Sequence, residues 1–187
     1  MLYMMLGRLV VTLMSDIQMC DPKGGNLYFN ERTGQYYPAH LDITLVNAPD
    51  KVLSRRWAYC NELVTAKIAG TNKLGKGGTS GSEYPFVSCA KLERLEIPDS
   101  DGCNSFLATS CVKLSEVILG GIGKPVSGIY SNAFSASGTM VTGEKTITIY
   151  VADATTIPLA DAPWGLTGAT VIYRSSTTGE IREVPSE

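Results

Sequence analysis

The sequence predicts a β-rich repeat solenoid with short parallel strands, few short helices and a β-hairpin cap at each end. Three observations carry that expectation. One phrase is written three times without a slip of register: Trp57-Ala-Tyr-Cys60-Asn-Glu-Leu63-Val-Thr-Ala66-Lys-Ile68, Phe86-Val-Ser-Cys89-Ala-Lys-Leu92-Glu-Arg-Leu95-Glu-Ile97, and Ala108-Thr-Ser-Cys111-Val-Lys-Leu114-Ser-Glu-Val117-Ile-Leu119. The closing apolar residue of each copy, extended back to Leu45 and forward to Ile149, recurs in steps of 23, 29, 22 and 30 residues. Two near-equal steps and two longer ones fit a coil of fixed size with insertions looped out of one edge. Each leucine leads into an alternating apolar pair, Ala66/Ile68, Leu95/Ile97 or Val117/Leu119, the period of a short strand with one buried face.

At 187 residues and 44% hydrophobic content, the chain suits one sizeable core. Its expected organisation is an N-terminal cap with a hairpin over residues 1–40, a solenoid of about five coils over 41–151, and a C-terminal cap with a hairpin over 152–187.

In chain order, Met1 to Met14 is apolar but does not read as a secretory leader. Arg8 lies inside the apolar run, and no Ala-x-Ala-like site follows. The run is also too short to span a bilayer, so Leu9 to Met14 is expected to be a strand or short helix covering the solenoid's open end. Residues 20–26 are turn chemistry. Leu27 to Tyr37 alternates aromatic and polar residues around a Thr-Gly turn, a hairpin signal; its aromatic residues either cap the core or form a contact surface. His40, the sole histidine, reads as an ordinary strand-entry residue.

The repeats follow. One coil cannot bury its apolar side alone, so Cys60, Cys89 and Cys111 are expected to stack in one ladder, and Leu63, Leu92 and Leu114 in another. Cysteine suits that position because it packs as a small hydrophobe. Five cysteines, with three in equivalent slots, therefore read as buried thiols; a disulfide framework is the alternative. Zinc is disfavoured because there is no Cys-x-x-Cys pair.

Residues 70–85 and 120–129 are the two insertions. Gly70-x4-Gly75-Lys76 nearly spells a phosphate-binding loop, but Gly77 stands where the magnesium-holding Ser or Thr is required, and no helix can start there. Asp99-Ser-Asp101-Gly102 lacks the remaining ligands of a calcium loop and reads as a turn after Pro98. If both insertions leave the same edge, that edge is the candidate binding surface, with Lys73, Lys76, Tyr84 and Lys124 as the partner-binding residues.

The strand residues facing away from the core form one row of Thr44, Lys67, Glu96, Ile118 and Thr148, and another of Thr65, Arg94, Glu116 and Thr146. Lys67 then opposes Glu96 and Arg94 opposes Glu116, a self-neutralised face. A degenerate fourth copy, Ala133-Phe134-Ser-Ala-Ser137-Gly-Thr-Met140, puts Ser137 in the cysteine slot and Met140 in the leucine slot. Pro158 and Pro163 forbid a long helix after Val151, so Trp164 is expected to lie across the last coil as a hydrophobic lid. Ala169 to Arg174 and Glu180 to Val184 flank a Ser-Ser-Thr-Thr-Gly turn, a second hairpin.

The order aromatic-x-x-Cys-x-x-Leu-x-x-apolar-x-Ile over residues 57–119 resembles the BspA-like class of leucine-rich repeats, although Ala108 replaces the aromatic in the third copy. That resemblance implies a right-handed α/β-type leucine-rich-repeat solenoid. The segment Asp161-Ala-Pro-Trp164-Gly, then Ala169-Thr-Val-Ile-Tyr173 closing on Thr177-Thr-Gly-Glu180, resembles the ends of leucine-rich-repeat proteins encoded by phages and prophages of gut bacteria, in virion or tail-associated contexts.

A net charge of -2 with sixteen scattered basic residues gives no pull toward nucleic acid or an anionic membrane. One histidine without a local nucleophile motif, and carboxylates confined to turns and the solvated face, argue against an enzyme and imply no cofactor. The expected function is a structural and recognition module: a phage virion component binding neighbouring subunits or a host surface, assembled in the host cytoplasm. The alternative is a bacterial cell-surface or secreted adhesin binding host or matrix partners. Ladder thiols suit a reducing compartment and favour the first, and unpaired edges at both ends invite homo-oligomers.

Overall fold

The computed structural model describes residues 3–5, 8–11, 26–45, 57–70, 85–99 and 106–184. They form about four turns of a β-rich solenoid with parallel strands. The strands are β1 (Tyr3–Met5), β2 (Arg8–Val11), β3 (Leu27–Asn30), β4 (Gln35–Pro38), β5 (His40–Leu45), β6 (Thr65–Ala69), β7 (Arg94–Ile97), β8 (Glu116–Leu119), β9 (Lys145–Val151), β10 (Ala169–Ser175) and β11 (Ile181–Arg182). One nine-stranded sheet has the order β1-β2-β5-β6-β7-β8-β9-β10-β11, and β3-β4 form a separate pair. From β2 to β10 every pairing is parallel, while β1 and β11 close the two ends antiparallel.

The alternating pattern dictates which side chains turn inward. Leu41, Ala66, Leu95, Val117 and Ile147 stand side by side across β5 to β9. Ile43 faces Ile68, and Ile97, Leu119, Ile149 and Tyr173 continue that second row. None of these eleven is more than 3% exposed, and one unbroken apolar cluster runs from Tyr37 to Tyr173.

The register at β5 differs from the sequence expectation. Asp42, and not Thr44, stands beside Lys67, and Ile43 takes the place assigned to Leu45. A slip of two residues keeps every side chain on its own face, so period-2 patterning does not distinguish the two alignments. Tertiary contacts do: His40 Nδ1 lies 3.0 Å from Thr65 Oγ1, and Ile43 is packed opposite Ile68.

No helix occurs among the described residues, against the expectation of a few short ones. The arcs are too tight for one. In each, the residue before the cysteine slot has left-handed backbone, Tyr59 at φ 61°, Ser88 at 56°, Ser110 at 57° and Ala136 at 57°, which ends any helical run. The chain then closes a four-residue turn: Leu63 N donates to Cys60 O at 3.1 Å, Leu92 N to Cys89 O at 3.1 Å, and Leu114 N to Cys111 O at 2.9 Å. Successive arcs are also stitched to each other. Tyr59 N donates to Val87 O (2.8 Å), Ser88 N to Thr109 O (2.8 Å) and Ser110 N to Ser135 O (2.9 Å), so the arc side carries its own ladder of backbone bonds opposite the sheet.

Both hairpins form. β3 pairs antiparallel with β4 through the turn at residues 31–34, where Gly34 has φ 68° and donates to Asn30 O at 2.8 Å. β10 pairs antiparallel with β11. Leu9 to Val11 lie in a strand, β2, parallel to β5.

Candidate recognition surface

The three thiols are buried and unpaired, and each coil hands its hydrogen bond to the one before. Cys89 Sγ donates to Trp57 O at 3.0 Å, and Cys111 Sγ to Phe86 O at 2.8 Å. Ser137 Oγ donates to Ala108 O and accepts from Cys111 N at 3.0 Å, so the hydroxyl does occupy the cysteine slot. In every case the acceptor is the residue three before the preceding slot. At the other end Asn30, on the β3–β4 hairpin, places its amide on Ala58 O (2.8 Å) and Cys60 Sγ (3.5 Å).

Burial pushes the Cys60 thiol up to about 11, with the Asn30 hydrogen bond opposing. Burial raises Cys89 well above its ordinary value as well, and the neighbouring thiols Cys111 and Cys60 add to the effect. Protonated, desolvated sulfurs are poor nucleophiles and poor metal ligands; this ladder is scaffold. Leu63, Leu92 and Leu114 are wholly buried beside it.

Met140 does not continue the leucine row: it is 67% exposed. Gly138, at φ 67°, bends the chain away there, and a Cβ on it would come within 2.8 Å of both Leu114 O and Leu166 Cδ1. Leu166 is fully buried beside it. Trp164 is likewise buried, its Nε1 donating to Ala160 O at 2.8 Å, and its carbonyl accepts from Phe134 N at 2.9 Å. It is part of the last turn's backbone ladder.

The outer face of the sheet is internally neutralised. Lys67 Nζ reaches Glu96 Oε1 at 2.6 Å, Arg94 Nη1 reaches Glu116 Oε2 at 2.6 Å, and Arg94 Nη2 reaches Glu96 Oε2 at 3.2 Å. Four charges thus form one chain across β6, β7 and β8. A face that satisfies its own charges offers little to a charged ligand.

At the C-terminal ends of the same strands the loop exits are stacked. Gly70 N donates to Asp99 Oδ2 at 2.6 Å, and Gly121 packs against Pro98, whose carbonyl oxygen is 3.1 Å from where a Cβ would stand. The loop at 120–128 is held at both ends and in its middle: Gly120 N to Ile97 O (3.0 Å), Gly123 N to Ser176 O (2.8 Å), and Val126 N to Tyr150 O (2.7 Å). Gly121 and Lys124 form a two-bond bridge at 3.0 Å each, which leaves Lys124 exposed at the tip beside Ile122, 62% exposed. Lys73, Lys76 and Tyr84 lie outside the described residues, as do Cys20 and Cys103.

Sequence reasoning missed the division of the aromatic hairpin into two faces. Tyr37 is buried and its hydroxyl accepts from Glu62 N at 3.2 Å, whereas Phe29 and Tyr36 are 52% and 60% exposed with rings 5.0 Å apart. The signal was present in the alternation, since the hairpin sets Tyr28 opposite Tyr37 and Phe29 opposite Tyr36, and successive cross-strand pairs face opposite sides. Arg32, over the ring of Tyr59 at 3.9 Å, fastens the hairpin to the first arc.

Among the described residues there is no group of His, Cys, Asp or Glu able to hold a metal and no helix long and apolar enough to cross a membrane. No family model matches the chain, and neither the curated proteins nor the solved structures give a match.

Proposed function

We propose that the chain is a non-enzymatic structural and recognition module, a phage virion component such as a head or tail decoration, fibre or adhesion protein. The solenoid is the mount, and the loops leaving one rim bind neighbouring subunits or the host surface. The supporting observation is the stacking of loop exits at Gly70, Pro98–Asp99 and Gly120–Gly121 along one edge, next to a sheet face that neutralises itself. A rigid scaffold with loops on one rim is a common arrangement for binding protein surfaces. The likeness of the last turn and hairpin to virion-associated repeat proteins supports the phage setting.

Mass spectrometry of purified particles from the producing strain tests it. Stoichiometric recovery in particles supports the virion reading, and recovery only in envelope fractions supports the cell-surface adhesin. In either setting, Lys124→Glu combined with Lys73→Glu and Lys76→Glu is expected to reduce partner capture without changing the melting temperature. Undiminished capture would remove the rim from the proposal.

A further inference from the structure

The strand order leaves β11 at the end of the nine-stranded sheet, with β10 on one side and no described strand on the other. The ladder fixes which backbone groups point outward. Ser175 N donates to Glu180 O at 2.8 Å, so the next pair, Arg174 with Ile181, is a non-hydrogen-bonded one, and the N–H and C=O of Ile181 face away from β10. The Ile181 side chain is 63% exposed, and Ile122, 62% exposed, rests with its Cδ1 3.3 Å from where a Cβ on Gly179 would stand.

We propose that this edge pairs with the β11 edge of a second copy of the chain, antiparallel about a two-fold axis through Ile181. Such an edge is a template for strand addition, and charge selects the occupant and the register. Centred on Ile181, the pairing sets Glu180 opposite the second copy's Arg182, twice by symmetry. Centred on Glu180 or on Arg182, it would set like charges face to face, which is unfavourable. In the Ile181 register that residue exchanges both backbone bonds with its counterpart, and the exposed isoleucines of the two copies line the join.

The groups around these charges leave them available. Glu180 accepts only from Thr178 Oγ1 at 3.3 Å among its described side-chain partners. Arg182 spends Nη1 on Ala152 O (2.8 Å) and Thr155 O (3.2 Å), with Asp153 nearby, whose carboxyl is held below its ordinary value mainly by hydrogen bonds from Ser175 and Thr177. Glu183 faces Gly179 of the second copy, which carries no charge.

Sedimentation velocity of the full chain over a wide concentration series is the test. The unaltered chain is expected to show a reversible monomer–dimer equilibrium. Glu180→Lys and Arg182→Glu, each alone, place like charges across the join and weaken association about tenfold. An equimolar mixture of the two restores it, because every cross pair is again opposite in sign. Ile181→Pro removes an outward donor that β10 does not use, a tolerated edge position, and is expected to abolish the dimer while tryptophan fluorescence stays unchanged. Should Arg182→Glu fail to fold for want of its bonds to Ala152 and Thr155, Glu180→Lys and Ile181→Pro decide the matter. A chain monomeric throughout the series, or a dimer indifferent to both of those variants, overturns the proposal.

Discussion

Replacing Cys89 with aspartate tests the ladder at its centre. The thiol is completely buried and donates to Trp57 O at 3.0 Å, with Cys60 and Cys111 on either side. An ionised carboxylate there would face a carbonyl oxygen, with the Cys60 backbone N–H compensating only in part, so burial favours taking it up protonated. Holding a carboxyl neutral at pH 7, about three units above its ordinary value, costs ~4 kcal/mol. That is a large part of the ~5–15 kcal/mol that a domain has in hand. The protonated form, however, can donate to Trp57 O as the thiol did, so the deficit should shrink by ~1.4 kcal/mol for each pH unit removed between 7 and 4. Urea unfolding followed by tryptophan fluorescence at pH 7 and pH 4.5, each against the unaltered chain, reads this directly. Cys89→Ser is the control, because Ser137 already fills the equivalent slot with a hydroxyl, and it should cost only ~1 kcal/mol. A Cys89→Asp deficit that is absent, or equal at the two pH values, would mean that the site is wet and the buried ladder is not what holds the coils together.

Ala136 stands at φ 57°, so Ala136→Gly should stabilise by about 0.5–1 kcal/mol and raise Tm by about 2 °C in calorimetry; a loss of stability would show that the left-handed arc is not strained. Gly120→Ala should do the reverse, since its Cβ would stand 2.6 Å from Lys124 O at a φ of +73°. Hydrogen exchange should then show residues 121–124 losing protection while β6 and β7 keep theirs. A double-mutant cycle on Lys67 and Glu96, partly exposed at 37% and 17%, should return a coupling of about 0.5 kcal/mol that fades with added salt. Stability should also fall as the solution is made alkaline. The Cys60 thiol ionises near 9.0 when free and only at about 11 when folded, so the unfolded chain releases its proton first. The loss accrues between those two values, reaches about 3 kcal/mol from this group, and should diminish in Cys60→Ala when unfolding is measured across pH 8–11.

The sequence by itself determined the repeat. Three cysteines each followed at the third residue by leucine, and then by an alternating apolar pair, sufficed to place Cys60, Cys89 and Cys111 on successive turns, to make the strands parallel, and to set Lys67 beside Glu96 and Arg94 beside Glu116. Those features follow from local periodicity, because a coil that buries one side must repeat its apolar positions at its own length. The tertiary structure decided what periodicity leaves degenerate. The β5 register is one such case: a two-residue slip preserves inside and outside, and only the packing of Ile43 on Ile68 and the contact of His40 with Thr65 select the alignment. The absence of helix is another, since the left-handed residue before each thiol is Tyr59, Ser88, Ser110 or Ala136, none of them a residue type that announces φ > 0 in sequence. The exposure of Met140 belongs with them. Gly138 turns the chain out at that point and Leu166 packs beside it, a substitution across 26 residues of sequence that no local pattern records.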